Sequence, residues 1–542
     1  MPTNRIITLL CILSFGLLSS CESEETQLLN AENNISDQQM IWDVEILASD
    51  DFQGRKPGTE GEKKTINFLA DSYKQIGLLP AVNGSYFQEV PLVEIKGMPD
   101  SSMTINCNGR DIVLERNKDF AAQSRHLEKQ ISIKDKEIVF CGYGIVAPKY
   151  NWNDYKNVDI KGKVALVLVN DPGFDSNDPK LFQGKSMTYY GRWTYKYEEA
   201  ARQGAEACII IHNSAAAGYP WSVVENSNSE TEVYLKAKDG YKSRCKVEAW
   251  VQEAVADSLL RCANTSLEEA KAMALAKDFS PIDLDAKMTY ALQNQWKDIT
   301  SHNVIGYIPG TSQKDECLIY SAHWDHLGIG DTIKGDSIYN GAVDNGTSIA
   351  CMLEIARAFK SMKKKPKRSI LFFAPTAEES GLNGSAYYVE HPVFPLDKTV
   401  ANINMELMLP FGPMKDVMIT GYGQSNMDEL VKEFAKKQDR EVLPDNHPER
   451  GMYFRSDQYS FAKKGIPALF AKGNIISRKH GKEWMQQKET KWIQENYHKP
   501  SDEFELSMDF RGIRQDAQLF FLIGWKIANE KERPIVYPNN PW

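Results

Sequence analysis

Five side chains in the second half of this 542-residue chain have the types and spacing for metal chemistry. They are His323 in Ala322-His323-Trp324-Asp325-His326, Asp344 in Gly341-Ala342-Val343-Asp344-Asn345-Gly346, Glu379 in Thr376-Ala377-Glu378-Glu379-Ser380-Gly381, Glu406 in Asn402-Ile403-Asn404-Met405-Glu406, and His498 in Tyr497-His498-Lys499-Pro500-Ser501-Asp502-Glu503. Zinc takes imidazole nitrogen and carboxylate oxygen readily, and a catalytic zinc leaves one position for water. Two imidazoles and three carboxylates satisfy two zinc ions when one carboxylate is shared. Paired metals are a recurrent solution for hydrolysing amides and esters. The set points to a hydrolytic centre holding two Zn2+ per chain.

The elements that must position these side chains are strands. From about residue 300 the pattern runs strand, loop, helix, strand. Residues 318–321 read as a strand ending at His323, 370–373 as a buried strand ending at Glu378-Glu379, and 400–405 as a strand ending at Glu406. Residues 348–362 read as a helix and 466–470 as a further strand. Open α/β sheets hold their sites at the carboxyl ends of strands, which is where three of the five side chains fall. The expected fold class is α/β, a mixed central sheet with helices on both faces.

Residues 111–289 have another texture. Short apolar strands at 137–140, 163–169 and 208–211 and a helix at 197–204 occur without any of the five ligands. They read as an inserted, smaller α/β domain, of ordinary domain size. Residues 37–110 and 290–530 then form the two parts of the main domain, and 531–542 a C-terminal tail. Residues 37–80 look helical on either side of the glycine-proline loop Phe52-Gln53-Gly54-Arg55-Lys56-Pro57-Gly58-Thr59.

At the N-terminus, Arg5 precedes an apolar run over 6–18 that is too short to span a bilayer comfortably and fits a secretory segment. It ends in Leu18-Ser19-Ser20-Cys21, which resembles a bacterial lipobox. Residues 1–20 are therefore expected to be a lipoprotein signal peptide, with Cys21 lipidated. Residues 21–36, polar and aperiodic, are expected to be a flexible tether. The protein is expected to be exported and lipid-anchored to a bacterial membrane in the cell envelope, on the periplasmic side or the cell surface. The net charge of −9 argues against a nucleic-acid partner, which needs a basic face. Nine scattered cysteines give no disulfide framework and no paired zinc spacing; Cys208 and Cys351, in apolar runs, read as buried thiols.

His323-Trp324-Asp325, Asp344-Asn345, Glu378-Glu379, Asn404-Met405-Glu406 and Tyr497-His498 resemble the co-catalytic di-zinc aminopeptidases of metallopeptidase family 28, over roughly residues 40–525. Residues 137–285, including Phe140-Cys141-Gly142-Tyr143-Gly144, resemble that family's protease-associated insertion. The resemblance implies the zinc exopeptidase fold and peptide substrates, cleaved at their N-termini by a metal-bridged water and a Glu general base. It implies that Asp344 bridges two zincs, that His323 and Glu406 complete one site, and that Glu379 and His498 complete the other. Glu378 is then the general base, and Asp325 orients His323, as carboxylates beside metal-bound histidines do. The family usually has Asp where this chain has Glu406, a longer but chemically equivalent ligand.

His326, beside the ligands, reads as a supporting residue. Ser456 and Asp457 resemble a family segment near the site, and Arg455 is the best candidate for gripping a terminal carboxylate; Arg455 and Asp457 are the candidate substrate-binding residues. Asp502 reads as a buttress for His498 or a turn residue. The basic run 363–368 reads as a solvated helix end. Other readings stay open: a carboxypeptidase or dipeptidase on the same site, a glutaminyl-cyclase-like cyclotransferase using one zinc, or an inactive receptor-like relative. The last would be expected to lack ligands or the base, and all are present here.

Overall fold

A computed structural model describes residues 22–176, 178–227 and 231–538. The expected signal peptide and Cys21 lie outside the described residues. One 27-residue strand, Ile282–Ile308, is the spine of the molecule. Leu284, Ala286, Met288, Tyr290 and Leu292 are buried at every second position, the period of a strand with one wet face. This first stretch pairs antiparallel with Gln130–Phe140 and Ser102–Cys107. The middle pairs with Phe87–Pro99 and the end, Val304 to Ile308, with Arg368–Ala374. A single strand thus joins the sheet of the inserted region to the sheet that carries the metal-type residues.

In the second sheet, Gln313–Ser321 lies between Arg368–Ala374 and Thr399–Asn404, and all three are parallel. Ala468–Lys472 adds a further parallel strand, and Asp416–Thr420 runs antiparallel to that one. The sheet is mixed and covered on both faces, which is why its strands read as unbroken apolar runs. Leu318 and Tyr320 face a cluster with Ile355, Phe359 and Phe521 from helices Thr347–Ser361 and Arg511–Asn529. Cys317 and Ile319 face Tyr388 and Phe461 from helices Asn383–Glu390 and Gln458–Ala462. The rings of Phe359 and Phe521 meet edge to face with centroids 4.9 Å apart; each such buried ring contributes about 1.5–3 kcal/mol. The inserted region has its own parallel set, Gln130–Phe140, Val164–Leu168, Ala207–His212 and Val247–Gln252 in that spatial order, and its own cores.

Two expectations need correcting. The stretch expected as a tether contains a helix, Glu24–Asn33, capped by Ser23, whose side chain accepts from the Thr26 amide. Ala31 and Ile35 are buried, and Leu28 packs against the same core. Leu28 and Ala31, three apart, share one helix face, and Ile35 follows just past the helix end, a stripe too narrow to stand out among polar neighbours. The basic run receives this helix: Lys363 lies 3.0 Å from Glu22, and Lys364 pairs with Glu24. The second correction is a disulfide, Cys107–Cys262, joining residues 155 positions apart. Local spacing carries no signal for so distant a pair. Cys208 and Cys351 are buried free thiols. Among the described residues no helix is long and apolar enough to cross a membrane.

Candidate metal centre

The three parallel strands end on one rim, and the chain after each delivers a side chain there. Ser321 leads to His323, Ala374 to Glu378 and Glu379, and Asn404 to Glu406. Asp344 comes from the tight turn before helix Thr347–Ser361, and His498 from the loop after helix Lys482–Glu495. Three non-glycine residues at the rim have positive φ: Ala377 (51°), Leu407 (48°) and His498 (55°). Such conformations cost about 1–3 kcal/mol each and persist only where the surroundings enforce them.

The ligand-type atoms fall into two groups that share Asp344. His323 Nε2 lies 3.5 Å from Asp344 Oδ1 and 3.3 Å from Glu406. His498 Nε2 lies 3.4 Å from Asp344 Oδ2 and 3.1 Å from Glu379 Oε2. Donors held about 2 Å from one tetrahedral ion sit at this kind of mutual separation. His498 Nε2 is buried without a hydrogen-bond partner, so the donor set fits a metal better than it fits itself. A grouping of His326 with Asp344 and Glu379 also has metal-like spacing. His326 Nδ1, however, lies 2.6 Å from the other Glu379 oxygen, Oε1. That contact lets His326 orient Glu379 and leaves Oε2 for the His498 group.

Electrostatics follow from crowding charge out of water. His323 and His498 are both raised well above the ordinary histidine range: burial opposes this, but Glu406 and Glu378 outweigh it for the first and Glu379 and Asp344 for the second. Burial and Asp344 push Glu379 up, yet His498 and His326 bring it down to about 2. Burial raises Glu378 well above the usual carboxylate range, with Glu406 and Glu379 adding to the rise. Glu378 Oε2 lies 3.8 Å from His323 Nε2.

The supporting residues differ in part from their expected roles. Asp325 lies beside His323 as expected, its Oδ1 3.7 Å and its carbonyl 3.1 Å from His323 Nδ1, and its carboxylate also accepts the amides of Glu378 (3.0 Å) and Glu379 (3.4 Å). It therefore fixes the backbone of the Glu378-Glu379 pair. The Asp502 carboxylate accepts the amides of Val343 and Asp344 at 3.1 and 3.0 Å, so it holds the Asp344 turn rather than His498. Tyr497 stacks on His498 at 3.9 Å. Ser456 Oγ donates to Glu406 Oε2 at 2.9 Å. Asp457 is fully buried and both its oxygens lack partners; burial pushes it up to about 7. Its full burial keeps it off any open wall, within reach of the charges of His323 and Glu406. Lys472 went unremarked in the sequence because a lone lysine in an apolar strand has no motif. Its Nζ donates to the carbonyls of Glu406 (3.2 Å) and Leu407 (2.9 Å) and so pins the backbone of that ligand.

Arg455 sits where the inserted region meets this rim. It reaches the Ala217 carbonyl at 3.5 Å and lies over the Tyr219 ring, and its Nε is buried without a partner. Arg192, from the inserted region, is buried close by; burial, and then the charge of Arg455, push it down to about 9.

Residues 303–519 match the profile of Peptidase family M28. The chain is 27% identical over 363 residues to Aminopeptidase YwaD of Bacillus subtilis, covering 65% of this chain and 58% of that protein. It is 34% identical over 438 residues to a Glutamate carboxypeptidase 2 homolog of Caenorhabditis briggsae, covering 72% and 54%. The chain thus spans less than two thirds of the length of these curated relatives. Among solved structures it resembles an aminopeptidase from Aneurinibacillus sp. strain AM-1, with TM-score 0.53, 18% identity, and coverage of 94% of this chain and 98% of that one. That likeness concerns the fold.

Proposed function

The chain belongs to peptidase family M28, and from that premise we propose that it is a zinc-dependent exopeptidase releasing N-terminal residues from peptides. The observation that carries the reading is the division of Asp344, one oxygen facing His323 and the other His498. His323, Asp344 and Glu406 would hold one ion, and Asp344, Glu379 and His498 the other. Bound there, the metals supply a lowered pKa for the attacking water and polarisation of the scissile carbonyl. The chain's own residues do the rest. Glu378 takes the proton of the attacking water and delivers it to the leaving amine nitrogen. Asp325 keeps Glu378 in place through its amide, and Ser456, Lys472 and His326 keep the ligands aimed. A free α-amine is a cation, and the carboxylate-rich rim favours it.

Metal analysis of the full chain tests the reading. Two zinc-class ions are expected per chain. Asp344→Ala should lose both, and His498→Ala should chiefly lose one. A single ion at saturation with full activity would favour the cyclotransferase reading.

A second reading has its own observation. Arg192 is buried within reach of the charge of Arg455, whose Nε is itself buried without a hydrogen-bond partner, and such cations favour an anionic ligand such as a terminal carboxylate. Export by a lipid-modified Cys21 is a further proposal. The Cys107–Cys262 disulfide supports an oxidising compartment, and the intact mass of the membrane fraction tests it.

A further inference from the structure

The loop Phe52-Gln53-Gly54-Arg55 lies far upstream of the matched region, yet Arg55 is 1% exposed and sits under the metal-type residues. Its guanidinium contacts five backbone carbonyls. Nε donates to Trp324 (2.9 Å), Nη1 to Leu47 (2.8 Å) and Asn340, and Nη2 to Gly341 (2.8 Å) and Asp344 (3.3 Å). Guanidinium has five N–H donors in one plane, so every one is used and the partners must lie near that plane. Two of them belong to the ligand segments: Trp324 follows His323, and Asp344 is the shared carboxylate. Among the described residues its hydrogen-bond partners are all backbone carbonyls, but it feels the charges of Asp502, Asp344, Asp325 and Glu379.

The approach to this position is demanding. Gly54 has φ 63°, and a Cβ there would lie 2.4 Å from the Tyr339 carbonyl and 2.7 Å from that of Gly328. Arg55 itself has φ 55°. A left-handed pair wedged against two carbonyls is an expensive way to bury one arginine if filling space were its purpose.

We propose that Arg55 is a positioning residue for the metal centre: its planar fork sets the His323 and Asp344 segments relative to one another and places a fixed cation beneath a cluster of carboxylates. Before a metal arrives those carboxylates repel one another, and the buried charge offsets part of that repulsion. Lysine cannot replace it, because one ammonium with three donors cannot span carbonyls spread across a plane.

The test uses Co2+ as probe with the full chain, and rests on the metal-centre reading. Arg55→Lys and Arg55→Met are compared with wild type and with Arg368→Lys. Arg368 is also buried and also binds carbonyls, those of Ile527, Glu530 and Lys531. It controls for loss of a buried arginine as such. Expected for both Arg55 variants is a Co2+ dissociation constant raised about 10–100-fold, the usual effect of removing a group that orients metal ligands, with an altered visible Co2+ spectrum. Arg368→Lys should lose melting temperature without either change. If the Arg55 variants bind Co2+ as wild type does, or weaken no more than Arg368→Lys, the inference is overturned. Should Arg55→Met fail to fold, Arg55→Lys alone decides. A wild-type chain that binds no Co2+ removes the metal-centre reading and the inference with it, an outcome distinct from unchanged binding by the variants.

Discussion

At the scale of single residues, the division of labour between Glu378 and Glu379 is set by their neighbours. Glu379 has two histidines on its two oxygens, which keep it ionised. Glu378 has burial and adjacent carboxylates, which raise its affinity for a proton. Adjacent acids with opposed environments are how one site obtains both a ligand and a proton acceptor. Glu378→Gln keeps the shape and removes the basic oxygen. It should lower kcat on the order of a hundredfold or more while metal content, measured by mass spectrometry of dialysed protein, stays at the wild-type value. Near-wild-type turnover would end the assignment of Glu378. The ligand-type residues were legible in the sequence because each stands in a distinctive local motif. Arg55, Lys472 and the backbone amides held by Asp325 and Asp502 were not, since these contacts are with backbone groups remote in sequence, which side-chain identity does not encode.

At the scale of elements, the strands of the second sheet were legible because burial on both faces leaves an uninterrupted apolar run. The helix Glu24–Asn33 was not, because only one narrow stripe of it is apolar, nor was the helix Arg511–Asn529 anticipated. The disulfide joins the end of strand Ser102–Cys107 to the short turn Arg261–Ala263. It closes a long loop through the inserted region, and cross-links over long loops stabilise most by constraining the unfolded chain. Cys107→Ala with Cys262→Ala should destabilise by about 2–4 kcal/mol, read as a fall in denaturation midpoint. Zinc content should be unchanged, because the bond lies outside the ligand segments. An unchanged midpoint, or no difference between reduced and oxidised protein, would show that the pair does not form in solution.

At the scale of the whole molecule, the inserted region bears on the segment that supports Glu406. The Met187 amide donates to the Pro448 carbonyl at 3.1 Å, and Tyr189 packs its ring on Phe454 and Tyr459. Ser456, which binds Glu406, lies between those two contacts in the chain. A second bridge joins Asn383 to Val233 and Leu235, at 3.1 Å each. The insertion thus braces the rim and buries Arg192 within reach of the charge of Arg455, which bears on the proposed choice of peptide end. The carboxylate-rich rim favours a free amine; the arginine pair favours a free carboxylate. Three forms of one short peptide separate them: unblocked, acetylated at the N-terminus, and amidated at the C-terminus. We expect acetylation to cut kcat/KM by at least about tenfold, equivalent to about 1.4 kcal/mol, with amidation nearly neutral and Arg455→Ala nearly neutral on the unblocked form. If amidation and Arg455→Ala each cause the loss while acetylation does not, the aminopeptidase reading falls. The arginine pair is then the specificity element, supplied jointly by the insertion and the peptidase rim.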